Sequence, residues 1–142
     1  MATTEVAVMA RVKTVCEGLG YRVVDDLDIV RQPQAAADKV VTVRYSASTP
    51  IGGFGFTEEA RGAVLVSVLR LVQPTYAAAK DRVWADGRTI YSAVVRDGAV
   101  TTGEYAVEDG GQAFEVDAPR GANYLIGRLR VPVNFEAVLT AS

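Results

Sequence analysis

The hydrophobic period changes several times along this chain, and each change marks an element. Val8, Val12, Val15 and Leu19 recur at helical spacing with Cys16 beside them. Thr3 or Thr4 caps this first helix, and Gly18 and Gly20 end it. Tyr21 to Val24 reads as a short strand, and residues 40–45 as a strand rich in β-branched side chains. Residues 62–73 are apolar at nearly every position, with Ser67 and Arg70 as interruptions, which is the pattern of a strand covered on both faces. Pro74 stops that strand. Residues 75–97 return to helical spacing, with Thr75 as N-cap and Gly98 as terminator. Tyr76, Ala79, Val83, Ile90, Tyr91 and Val94 share one stripe, with the single Trp84 at its edge and read as core. Residues 104–107 and 113–116 are expected to pair as a hairpin across residues 108–111.

The last segment, residues 123–138, alternates with period two. Leu125, Gly127, Leu129, Val131, Val133 and Phe135 occupy one face, and Arg128, Arg130, Asn134 and Glu136 the other. Pro132 falls on the polar register and lacks an N–H, which predicts an edge position or a bulge there. A long exposed edge invites aggregation unless something covers it, and a neighbouring subunit would do so.

Strands dominate this order and two helices pack on them. The expected class is α+β: a small mixed or antiparallel sheet packed by two helices, one domain over residues 1–142. Between the strands, residues 46–60 hold Pro50, Gly52, Gly53, Gly55 and two phenylalanines, and read as a long projecting loop. Phe54 and Phe56 are either anchors for a partner surface or fold back onto their own core, and the sequence supports both readings equally. The glycines there match neither the GxxxxGK[ST] nor the GxGxxG phosphate-binding spacing.

Composition narrows the chemistry. The 142 residues are 49% hydrophobic and 23% charged, with a formal net charge of −2. That gives no bulk basic field for nucleic acid. Arg120, Arg128, Arg130 and Tyr124 form a small basic-aromatic group near the last strand, which the acidic balance makes one part of a mixed surface. The chain has no histidine and one cysteine. The commonest general base, the Ser-His-Asp and Cys-His arrangements and a zinc site are therefore removed. Cys16 reads as a small core residue. Asp25, Asp26 and Asp28 lack calcium-loop spacing and read as a solvated turn, and Glu58 with Glu59 as a solvated pair. The beginning of the chain lacks the basic and apolar regions of a secretory signal, and no apolar stretch approaches the roughly 20 residues that span a bilayer. Neither catalysis nor a cofactor is expected, and the expected setting is a cytosol or something assembled there.

The layout resembles the tail terminator proteins of long-tailed bacteriophages. The likeness is carried by an N-terminal helix, a small sheet, a long loop, an apolar strand running through Pro74 into a long helix, and a final strand reading LIGRLRVPVNFE. The resemblance implies a hexameric ring at the head-proximal end of the tail tube that halts tube growth, presents a surface to the head-side connector and lets the genome through its lumen. It implies the virion as location, after assembly in the host cytoplasm, and no membrane. Its partners would be further copies of itself, the tail tube protein, the connector and passing DNA without sequence-specific contact. On this resemblance Asp25, Asp26, Asp28, Glu58 and Glu59 are lumen candidates, and Phe54, Phe56, Arg128, Arg130 and Pro132 interface candidates. Another ring of the same assembly, the tail tube subunit, and a small cytosolic ligand-binding or enzymatic domain stay open as alternatives.

Overall fold

A computed structural model describes residues 3–25, 38–47, 57–101, 103–108, 112–118 and 121–138. The elements are α1 (Glu5–Gly18), β1 (Arg22–Val23), β2 (Val40–Ala47), β3 (Thr57–Leu71), α2 (Tyr76–Val95), the single-turn α3 (Gly98–Thr101), β4 (Ala106–Val107), β5 (Ala113–Asp117) and β6 (Tyr124–Val138). The class is α+β, one sheet packed by two main helices. Along the sheet the order is β1-β2-β3-β6, with β4 and β5 both paired to the outer side of β6. Among the described residues only β1 and β2 pair in parallel.

Both helices start as their sequences dictate. The Thr4 hydroxyl accepts the Ala7 N–H at 3.1 Å and the Thr75 hydroxyl accepts the Ala78 N–H at 3.2 Å, each satisfying one of the first turn's spare donors. Past α1, Gly20 takes φ +91°, a left-handed turn that glycine adopts at little cost. The expected end of the second helix shifts: α2 stops at Val95, and Gly98 opens α3 instead of terminating α2. The exit of β3, with a cis Gln73–Pro74 peptide, is held to α2 by Arg82, whose guanidinium donates to the carbonyls of Leu71 and Gln73.

Strand β3 sits between β2 and β6, and both faces of it carry buried residues, as its continuous apolar run predicts. Val64, Val66 and Val68 face the helices, together with Val41 and Val43 of β2 and Leu129, Val131, Val133 and Phe135 of β6. Val8, Val12, Ile90 and Val94 close this core from the helix side. Removing each such side chain from water contributes about 1.5–3 kcal/mol. A smaller cluster of Val40, Leu69 and Leu71, with Ile126 and Tyr124 against it, lies on the opposite face. Cys16 is buried among the core residues, and burial pushes its thiol up to about 12.

Four expectations change. Residues 104–107 and 113–116 do not pair with each other: β4 and β5 lie end to end along β6. Val107 stands opposite Val133 and Ala113 opposite Arg130, so three residues of this edge have no opposite number in β6. The final strand is paired on both sides rather than at an edge. Its proline is accommodated because the Pro132 carbonyl accepts the Glu108 N–H at 2.9 Å. In an antiparallel strand a residue's N–H and C=O point the same way. The missing donor therefore faces the β4–β5 side, at the break in pairing. Tyr76, expected in the core stripe, is half exposed, while Asp86 and Gly87 are buried on that stripe. Finally, β2 reaches Ala47 and β3 begins at Thr57, so Glu58 and Glu59 belong to a strand and not to the loop.

The helix-to-sheet spacing is set by Phe114 of β5, wedged between α2 and β6. A Cβ on Gly87 would lie 2.7 Å from the Phe114 ring, and one on Gly127 would lie 2.5 Å from Val83 and 2.6 Å from Phe114. Gly18, in contrast, has open space around it. Gly127→Ala is expected to destabilise the fold by about 1–3 kcal/mol, and Gly18→Ala to stabilise it by about 0.5–1 kcal/mol. Urea denaturation of the two variants would check this, and equal effects would contradict the wedge.

Candidate functional site

Polar or aromatic groups come together at several places among the described residues, and three of these form a buried network, a pocket and a groove. The first is internal. Arg70 is the charged interruption of the apolar run in β3, and Asp86 sits on the buried stripe of α2, 4% exposed. The Arg70 guanidinium donates to both Asp86 oxygens, at 2.7 and 2.9 Å. The Tyr21 hydroxyl donates to the same carboxylate at 2.5 Å. Asp38 adds a looser ion pair to Arg70 at 3.6 Å and accepts the Leu71 N–H at 2.9 Å. The Lys39 ammonium lies 5.1 Å from the centre of the Tyr21 ring. Burial, then the hydrogen bond to Asp86, raises the Tyr21 phenol, and the same carboxylate raises Arg70. Asp86 and Asp38 both face Arg70 while Lys39 lies over the Tyr21 ring, so the network ties α2, β3 and the chain after α1 into one arrangement.

The second place is a shallow apolar pocket of about 160 Å³ beside α2, where the Trp84 and Phe114 rings meet edge to face at 4.9 Å with Arg88 and Tyr91 alongside. Trp84 is 38% exposed, so the expectation of a core tryptophan is corrected to a rim position.

The third is the sheet face opposite the helices. There Arg44, Leu65 and Arg130 form one cross-strand row, and Thr42, Ser67, Arg128 and Glu115 the next. All of these but the buried Thr42 line a groove of about 530 Å³ with three guanidinium groups. Asp117 pairs with Arg128 at 3.0 Å, and the Arg44 guanidinium reaches the Asp25 carbonyl at 3.5 Å.

Arg128 and Arg130 thus come together on one exposed surface, joined by Arg44, which the sequence reading did not single out. Pro132 shares their face but is buried, and so is removed from the interface candidates. Asp25 is exposed beyond β1, level with the middle of β2, whereas Glu58 and Glu59 lie at the far end of β3 opposite Ala137 and Glu136. Those acids do not form one cluster. Phe54, Phe56, Asp26, Asp28 and Arg120 lie outside the described residues. Among the described residues no three Cys, Asp or Glu converge as metal ligands, and no helix is long and apolar enough to cross a membrane. The chain matches no protein-family model and no curated protein.

Two expected outcomes follow from the buried polar groups. Asp86→Ala leaves Arg70 without its buried partner and should cost about 3–5 kcal/mol. Chemical denaturation measures this, and a loss below 1 kcal/mol would show that water reaches Arg70 freely. Tyr105 is buried with no hydrogen-bond partner for its hydroxyl among the described residues, and burial lifts it from an ordinary 10 to about 12. Burial penalises the phenolate, so stability is fully kept below the unfolded value and is lost as pH climbs through the folded one, while the unpartnered hydroxyl itself costs stability at neutrality. Tyr105→Phe should therefore raise stability near neutrality by about 1 kcal/mol. It should also flatten the loss of stability between pH 10 and 12. Urea midpoints across that range test both, and an unchanged alkaline slope would contradict the assignment.

Proposed function

We propose that this chain is a structural ring subunit of the tail-terminator kind, closing the head-proximal end of a phage tail tube. The observation that carries the reading is the layout within one α+β domain. A capped helix precedes the sheet, a long central strand runs through Pro74 into a long helix, and a second long strand ends the order beside the first. A ring subunit needs two different surfaces that fit head to tail. The sheet has such a pair in its two edges, and among the described residues the helices pack on one of its faces.

On this reading Phe54 and Phe56 touch the tube or a neighbouring copy, Arg128 and Arg130 belong to a contact surface, and Asp25, Asp26, Asp28, Glu58 and Glu59 are placed toward the DNA channel. Like charge on such a wall keeps the duplex from adhering. The subunit would be assembled in the host cytoplasm and function in the virion, without chemistry of its own. Its partners are further copies of the chain, the tube protein and the head-side connector.

A second reading, a small anion-binding domain, rests on the arginine-lined groove. Light scattering of the native protein, with negative-stain images of the same sample, separates the two. The expected result is a closed ring, alone or capping tube ends. A monomer that does neither, and whose melting temperature rises with inorganic phosphate, would overturn the ring in favour of the groove.

A further inference from the structure

The two outer edges of the sheet match each other. Along β2, strand β1 covers Val40 and Val41, and among the described residues no strand pairs with the rest of that side. Val41 accepts the Val24 N–H at 2.9 Å, so its backbone polar groups point outward. Alternate residues do the same, which turns the N–H and C=O of Val43 and Tyr45 to the outside. On the opposite edge, the outward carbonyl of Pro132 fixes which residues of β6 point toward β5. Their partners Ala113, Glu115 and Asp117 spend their backbone groups on β6, leaving those of Phe114 and Val116 turned out.

Direction agrees as well. β2, β3, β6 and β5 alternate in sense, so the two edge strands run opposite ways. Copies related by rotation about an axis along the strands keep their strand directions, and β5 of one copy then meets β2 of the next antiparallel.

Side chains select the register. Arg44 and Glu115 lie on the same, helix-free face of the sheet and both are exposed. Within the chain, Arg128 is engaged by Asp117 at 3.0 Å, and Glu115 has no ion-pair or hydrogen-bond partner among the described residues. Setting Arg44 opposite Glu115 also sets Tyr45 opposite Phe114 and Val43 opposite Val116. Those four residues are the ones whose backbone groups point outward, so one register satisfies the hydrogen bonds, the charges and the apolar side. A one-residue slip breaks all three.

We infer that, in the ring proposed above and resting on that reading, β5 of each copy adds antiparallel to β2 of the next, with Glu115 facing Arg44 across the seam. Directly opposed residues of this non-hydrogen-bonded kind bring their Cα atoms to about 4.5 Å. That is within the range a disulfide spans. The test is the double variant Arg44→Cys with Glu115→Cys in the full chain, oxidised and run on a non-reducing gel. Cys16 stays in place because it is buried. The expected result is a covalent ladder ending at the ring's copy number, with each single variant remaining one chain long. Rings seen in stain without any cross-link would overturn the seam and leave the ring standing. A wild-type chain that forms no ring, even on tube ends, would overturn both. As a check free of cysteine, Arg44→Glu should raise the concentration needed for assembly by about fivefold or more, and adding Glu115→Arg should restore it. Failure of the second change to rescue a folded protein would also count against the seam.

Discussion

Fifteen consecutive residue pairs join β3 to β6, from Thr57 opposite Val138 to Leu71 opposite Tyr124. Because successive side chains of a strand alternate faces, a slip of one residue would either turn Val64, Val66 and Val68 away from the helices or bring Arg128 and Arg130 beneath them. Burial of the apolar set therefore fixes the register of the whole ladder, and other elements take their places from it. β2 continues the helix-facing rows with Val41 and Val43 on one side, and β5 with Phe114 on the other. The helices cover the continuous apolar surface that these rows make.

Among the described residues the buried charges of this core are compensated where Arg70 meets Asp86, unlike the unpartnered Tyr105 hydroxyl. Replacing a buried ion pair by apolar side chains often leaves stability unchanged, whereas removing one partner is costly. The Arg70–Asp86 pair is better understood as a constraint on where α2 lies over β3 than as a source of net stability. The glycine pair acts in the same sense by steric means. With no Cβ on Gly87 or Gly127, the Phe114 ring fills the space between helix and strand, and α2 is located by shape on one side and by charge on the other.

Much of this order was legible in the sequence, and the failures have specific physical causes. The period-two pattern of the last strand and the stripe of Ala79, Val83, Ile90 and Val94 gave their buried faces directly, because each face is decided by local periodicity. Pairing was less accessible. The pieces at 104–107 and 113–116 resemble a hairpin locally, yet β6 offers both of them a longer partner, a competition between distant segments that no short window contains. Asp86 was overlooked because a lone acid on an apolar stripe looks like a break in the pattern. The signal that could have found it was the matching break in β3, Arg70, two opposite charges each set within an apolar run. Arg44 was missed for a related reason: its neighbours Arg128 and Arg130 are remote in sequence and meet it only through the rows across β3.

Pro132 shows how one residue links the interior of the sheet to its margin. A proline in a doubly paired strand needs a side on which a donor is not missed. Here the outer strand supplies that side by breaking into β4 and β5, three residues out of step with each other. The break has a second effect. A single long edge strand along β6 would present an uninterrupted row of backbone groups to any passing chain. The divided edge keeps only the five residues of β5 as a regular segment, and β1 likewise shortens the exposed part of β2. Both margins are thus trimmed to comparable lengths, and on the same face Arg44 stands on one and Glu115 on the other, with Asp117 beside it already paired to Arg128. Edges limited in this way discourage indiscriminate stacking, and in the seam inferred above they would still specify one antiparallel register between copies of the chain.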